Sequence, residues 1–145
     1  MLMSLRELEE KRLIRSIPVD KRQIDNLVAV ARRDLKVAGD LLANNLDWSY
    51  SISYNSMLQI SRALMFAYGY TTSEEEHHRT AVEFARSVLG KERELTDVLD
   101  RMRRKRHGIT YDEADTISEF EAKHAFEIAK KYFSLVEKRI KERVR

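Results

Sequence analysis

Ile24-Asp25-Asn26-Leu27-Val28-Ala29-Val30-Ala31-Arg32-Arg33-Asp34-Leu35-Lys36-Val37-Ala38 decides the fold class of this chain. Ile24, Leu27, Val28, Ala31, Leu35, Ala38 and, one turn on, Leu42 recur at helical spacing, so a helix from about Lys21 to Asn45 carries one continuous apolar stripe. Such a helix buries that stripe only by packing lengthwise on neighbours.

The same pattern extends in both directions. After a break at Asn44-Asn45-Leu46-Asp47, the spacing predicts a helix from about Trp48 to Tyr68, with an aromatic-rich face of Tyr50, Tyr54, Met57, Leu58, Ser61, Leu64, Met65 and Tyr68, closed by Gly69. A fourth is expected from about Glu74 to Leu89, with Ala81, Phe84, Ala85 and Val88 inward and Gly90 ending it. A fifth runs from about Arg93 to Arg106, and a sixth from about Thr116 to Arg143, where Ala122, Ala125, Phe126, Ala129, Tyr132, Phe133, Val136 and Ile140 form a broad apolar face. Upstream, a short helix from about Ser4 to Arg15 stops before Ile17-Pro18, since a residue preceding proline is pushed out of helical geometry. Ser4 with Glu7, Asp20 with Gln23, Ser73 with Glu76 and Thr116 with Glu119 have capping-box spacing.

Short links between long helices predict an all-α, up-and-down antiparallel bundle of four long helices plus short additional ones. One domain is expected over 1–145, with 1–18 a short helix and connector. One proline and four glycines, with 35% charged residues, disfavour a sheet protein rich in tight turns. No cysteine is present, which excludes disulfides and thiolate metal sites, and no stretch approaches the roughly 18 apolar residues of a membrane span. A cytoplasmic protein without a membrane partner is the expectation.

The 27 Lys and Arg are nearly balanced by 24 Asp and Glu, so affinity for a polyanion must come from local clustering. Arg101-Met102-Arg103-Arg104-Lys105-Arg106-His107-Gly108-Ile109-Thr110-Tyr111-Asp112 supplies it, at a helix expected to end at Gly108. The stripe Leu95, Val98, Leu99 and Met102 continues into Arg103 and Arg106, which leaves Arg101, Arg104 and Lys105 on other faces. An inward arginine needs a partner, either an acid (Asp97, Asp100 or Asp112) or a bound phosphate.

Ser53-Tyr54-Asn55-Ser56-Met57-Leu58-Gln59-Ile60-Ser61-Arg62-Ala63-Leu64-Met65, closing at Gly69-Tyr70, resembles the second main helix of HEPN domains. The segments 31–38 and 125–133 resemble the first and last bundle helices of that family, and Arg106-His107 followed by Tyr111 falls where the family carries its Arg-polar-spacer-His motif. The resemblance implies a helical bundle that is usually a homodimer, with the motifs facing each other across the twofold. Many members are metal-independent endoribonucleases or toxins paired with a minimal nucleotidyltransferase antitoxin, and no cofactor is implied. The family's arginine stabilises charge on the attacked phosphate and its histidine moves the proton. Arg106 matches that arginine, His107 the polar position and Tyr111 the place of the histidine. A phenol with pKa about 10 is a poor base at neutral pH, so the motif is degenerate and His107 is the expected proton carrier. Arg101 upstream of His107 is the alternative pairing within the family's loose spacing. Arg101, Arg103, Arg104 and Lys105 are candidate phosphate or RNA contacts, and Tyr111 a candidate for modification by the partner. A reading from another class is a noncatalytic helical homodimer that binds a protein or nucleotide, its cations forming only ion pairs.

Other features have plainer readings. Glu74 and His78 stand one turn apart, too few ligands for a metal site, so no metal is expected and His77 and His78 are read as exposed or near a cleft mouth. His124 is expected as a hydrogen-bonded residue at the core edge. Trp48 and the tyrosines offer faces for stacking RNA bases, but their helical spacing points to packing. The cationic C-terminal turns are expected to be solvated.

Overall fold

Side-chain oxygens start most of the helices. In order, the elements are α1 (Leu5–Glu10), β1 (Ile14–Ser16), α2 (Lys21–Leu41), α3 (Leu46–Ala67), β2 (Tyr70–Thr72), α4 (His77–Val88), a 3-10 turn (Gly90–Glu92), α5 (Arg93–Tyr111) and α6 (Glu119–Arg143). This computed structural model describes residues 3–73, 77–111 and 115–144, with 107–111 described by backbone alone. Ser4 and Glu7 make a reciprocal capping box, Asp20 accepts from the N–H of Arg22 and Gln23, and Asn45 accepts from that of Trp48.

Three expectations at element ends are corrected. The box at the start of α6 uses Ser118 and Glu121 rather than Thr116 and Glu119, because the backbone N–H of Ile117 is already held by the carboxylate of Asp47, which delays the first helical turn. The first helix stops at Glu10 rather than Arg15. Arg12 takes φ 58°, its N–H donates to Glu9 O and that of Leu13 to Leu8 O, a Schellman ending with arginine where glycine is usual. The chain then extends as β1 and pairs antiparallel with β2, Ile14 opposite Thr72 and Ser16 opposite Tyr70. Finally, α5 does not end at Gly108 but runs on to Tyr111. A glycine inside a helix costs about 1 kcal/mol, a penalty that surrounding helical hydrogen bonds can outweigh. The expected cap at Ser73 with Glu76 falls partly outside the described residues.

The apolar stripes meet around α3, which is buried on most of its circumference, from Ser49 through Ala67. Small residues let α2 approach closely: Ser49 Oγ donates to Ala38 O and Ser56 Oγ to Ala31 O, each at 2.7 Å. Those pairings make α2 and α3 antiparallel. Arg32 with Glu137 and Gly39 against Phe126 make α2 and α6 antiparallel as well, so α3 and α6 run parallel, joined inside the core by Ser61 and Tyr132 hydroxyls 2.6 Å apart. Tyr54, Tyr132, Phe84, Met57, Leu64 and Leu99 are among the largest fully buried side chains of the one apolar cluster. The all-α bundle is thus the observed class, with one two-stranded ribbon that the sequence reading did not anticipate. Among the described residues no helix is long and apolar enough to cross a membrane.

Part of the basic C-terminus is committed to packing. Arg139 Nη1 donates to Tyr68 Oη and Val88 O at 3.2 and 3.0 Å, and Arg143 lies over the Tyr68 ring at 3.9 Å, so these two arginines tie α6 to the end of α3 rather than facing solvent freely.

Candidate active site

Where α3, α4 and α5 converge, the cations of α5 separate onto two sides. Arg103 and Arg106 are partly buried on the side toward α3 and α4, while Arg101, Arg104 and Lys105 are exposed. Arg103 is held by Asp100, whose carboxylate, 15% exposed, accepts from its Nε and Nη2 at 3.1 Å and also lies 3.4 Å from Arg104 Nη2 and 3.8 Å from Arg86 Nη2. One carboxylate thus faces three guanidinium groups. Asp97, at 2.9 Å from Arg86 Nη2, and Glu83, at 3.3 Å from Arg86 Nη1, balance the other two charges, so that these three arginines are matched by three acids.

Arg106 is placed differently. Its guanidinium carbon sits 5.6 Å from the centroid of the Tyr54 ring, and its Nε is buried with no hydrogen-bond acceptor among the described residues. A guanidinium over an aromatic face is attracted by the ring quadrupole, which orients it without consuming its N–H donors. On the same ring, from α4, lies His78: centroids 5.7 Å apart, Tyr54 Oη to His78 Nδ1 2.8 Å. Tyr54 is fully buried, and burial holds its phenol well above its ordinary value despite the opposing Arg106 and Arg103. His78 is shifted the other way. Its partial burial, then Arg106, His77, Arg103 and Arg62, disfavour the imidazolium, so the ring is neutral at neutral pH. The arrangement offers a directed cation, a neutral imidazole and a buried phenol joining them.

The sequence-derived candidates distribute unevenly over this geometry. Arg106 and Arg103 belong to the cluster, and Arg104 touches it through Asp100. Arg101 and Lys105 instead line a groove of about 270 Å³ between α5 and α6, with Tyr50, Met102, Phe120 and His124. There Lys105 pairs with Glu121, and His124 is exposed and stacked on Phe120 at 6.0 Å, which corrects its expected place at the core edge. His107 and Tyr111 lie on the last turn of α5, and their side chains fall outside the described residues, as does Glu74.

A model of the HEPN domain matches residues 24–139, most of the chain, with α3, α4 and α5 whole and most of α2 and α6. The chain belongs to the HEPN family. No curated protein matches it closely enough to count as a relative. The sequence reading had not joined Tyr54 and His78 to the cluster around Arg106, where the structure brings all three side chains together. Tyr54 was read as core, which it also is. For His78 the signal was ambiguous, because positions 77 and 78 both lead into buried positions of α4 at helical spacing, and only the phenol across the interface distinguishes them.

Proposed function

We propose that this HEPN protein is RNA-directed and binds phosphodiester through Arg106, with Arg103 beside it, in the manner of a toxin or defence-module component paired with a minimal nucleotidyltransferase. The observation that carries this reading is the guanidinium of Arg106 over Tyr54, its Nε buried without an acceptor among the described residues, while the neighbouring Arg103 is already held by Asp100. A phosphate oxygen is the anion that would complete it, and family membership supplies RNA as its source. Homodimerisation would bring two such sites together, and Tyr111 would be the residue the partner enzyme modifies. The cytoplasm is the compartment where RNA and such a partner meet.

Binding of a mixed-sequence single-stranded RNA, followed by fluorescence anisotropy at two salt concentrations, tests the reading. Arg103→Gln/Arg106→Gln is expected to weaken affinity by about tenfold or more and to flatten its salt dependence. Equal affinity and slope in the two proteins would sink it. A second reading, a noncatalytic homodimer that binds a protein or nucleotide, is favoured by the Asp100 ion pairs, which show Arg103 and Arg104 already engaged within the protein. Under it the double variant would lose stability but no RNA affinity.

A further inference from the structure

We infer that the groove between α5 and α6 holds one unpaired base of a single-stranded RNA, stacked on the exposed ring of Phe120, with the phosphate attached to that base at Arg101. The inference rests on the reading that the protein is RNA-directed and adds to it a second subsite, which takes a base where the first takes a phosphate.

Phe120 stands in the first turn of α6 and is 77% exposed, the most exposed large apolar side chain among the described residues. A single apolar residue in water is ordinary, but this ring is not isolated. His124, one turn on and also exposed, stacks on it with centroids 6.0 Å apart and planes inclined by only 6°. The two rings set near-parallel aromatic faces along a groove floored by the buried Tyr50, Val98 and Met102. Such faces suit a planar heterocycle, and base–aromatic stacking tolerates any sequence because every base has a π-face. The groove's volume, about 270 Å³, lies below the roughly 300 Å³ at which pockets for drug-sized ligands begin, which is room for one ring system rather than for the several side chains of a docked helix.

The charges around the groove favour an anion at one place. Glu121 is matched by Lys105, and Glu119 by Lys123 at 2.8 Å. On α5, Asp97 and Asp100 are engaged by Arg86, Arg103 and Arg104. Arg101, exposed at the edge of the groove, makes no ion pair among the described residues and is the cation left over. A free guanidinium beside an aromatic platform seats a stacked base together with its phosphate. An acidic peptide would be drawn to the same cation but gains little from two parallel aromatic faces, which a nucleobase covers. Arg101 and Arg106 stand roughly 7.5 Å apart along the axis of α5 and roughly 140° apart around it, so one serves the groove and the other the ring of Tyr54. A strand whose base lies on Phe120 crosses α5 and reaches Arg106 further along its backbone.

The test uses the full chain and a short mixed-sequence single-stranded RNA carrying one 2-aminopurine, a base whose fluorescence is quenched by stacking. Quenching is expected with the native chain and with Phe120→Trp, and is expected to be lost with Phe120→Ala, a change at a ring so exposed that the melting temperature should stay the same. Phe120→Ala should weaken affinity by about fivefold or more and leave its salt dependence unaltered, whereas Arg101→Gln should lower the slope of log affinity against log salt by about one. If Phe120→Ala binds the RNA as tightly as the native chain, the base subsite is overturned while the Arg106 reading stands. If the native chain binds no RNA, both are removed. Quenching by Phe120 that persists at undiminished affinity in Arg103→Gln/Arg106→Gln would support the base subsite and remove only the phosphate site. Adenosine monophosphate binding as tightly as the RNA would overturn the inference in favour of a free nucleotide. A glutamate-rich peptide that binds more tightly than the RNA, and only when Phe120 is present, would overturn it in favour of a protein partner.

Discussion

At the scale of single residues, His78 is the point where burial and charge act in the same direction. Desolvation and the neighbouring guanidinium groups hold its pKa below the ordinary 6.5. In an NMR titration its ring should therefore titrate below that value, and Arg106→Gln should move it upward, since the largest charge contribution is removed while burial remains. A titration at or above 6.5 in the native chain would contradict the site geometry. The sign of the stability effect follows. Between the depressed folded pKa and the ordinary unfolded one, the unfolded chain binds more protons, so His78 costs stability as pH falls through about 6.5 and ceases to add to that loss below its folded pKa. Arg106 could be singled out from sequence because it prolongs the stripe of α5. Tyr54 and His78 could not be joined, because their contact spans two helices whose relative placement no local spacing records.

At the scale of elements, the helices were legible and their ends less so. The stripes of α2 and α6 place Ile24, Ala31, Ala38, Ala125, Ala129 and Val136 in the core, where they are found. Ends followed the chemistry of capping wherever a short polar side chain supplied it. They departed from it where arginine occupies the left-handed position at Arg12, and where Asp47 captures the backbone at Ile117. The β1–β2 ribbon was unreadable for a related reason: strands of three residues carry too little alternation to be told from a loop. Gly69 is the exception among the breaks, for it has φ 82°, ends α3 and turns the chain into β2, with its carbonyl accepting from the Ile17 N–H at 2.8 Å. A Cβ there would meet Ile17 O at 3.4 Å in a backbone conformation that side chains disfavour. Gly69→Ala should cost roughly 1–2 kcal/mol and lower the melting temperature by roughly 3–8 °C in calorimetry. An unchanged melting temperature would show that the turn tolerates a side chain.

Over the whole molecule, two ends of one structure depend on each other. The matched HEPN span begins at residue 24, yet Leu8 and Ile14 are buried in the same apolar cluster as α3 and α4. Glu9 accepts from Tyr70 Oη at 3.0 Å, the N–H of Ser73 donates to Leu13 O at 2.9 Å, and Thr72 Oγ1 lies 2.8 Å from His77 Nδ1. The ribbon thus anchors the strand next to the histidine pair. Deleting residues 1–18 should remove roughly 3 kcal/mol or more of apolar burial and perturb the His78 resonances. Matching thermal unfolding curves for the fragment and the full chain would refute this. An expression boundary chosen from family similarity alone would cut through the hydrophobic interior, and an inactive fragment would then report on a missing anchor rather than on the chemistry it was made to measure.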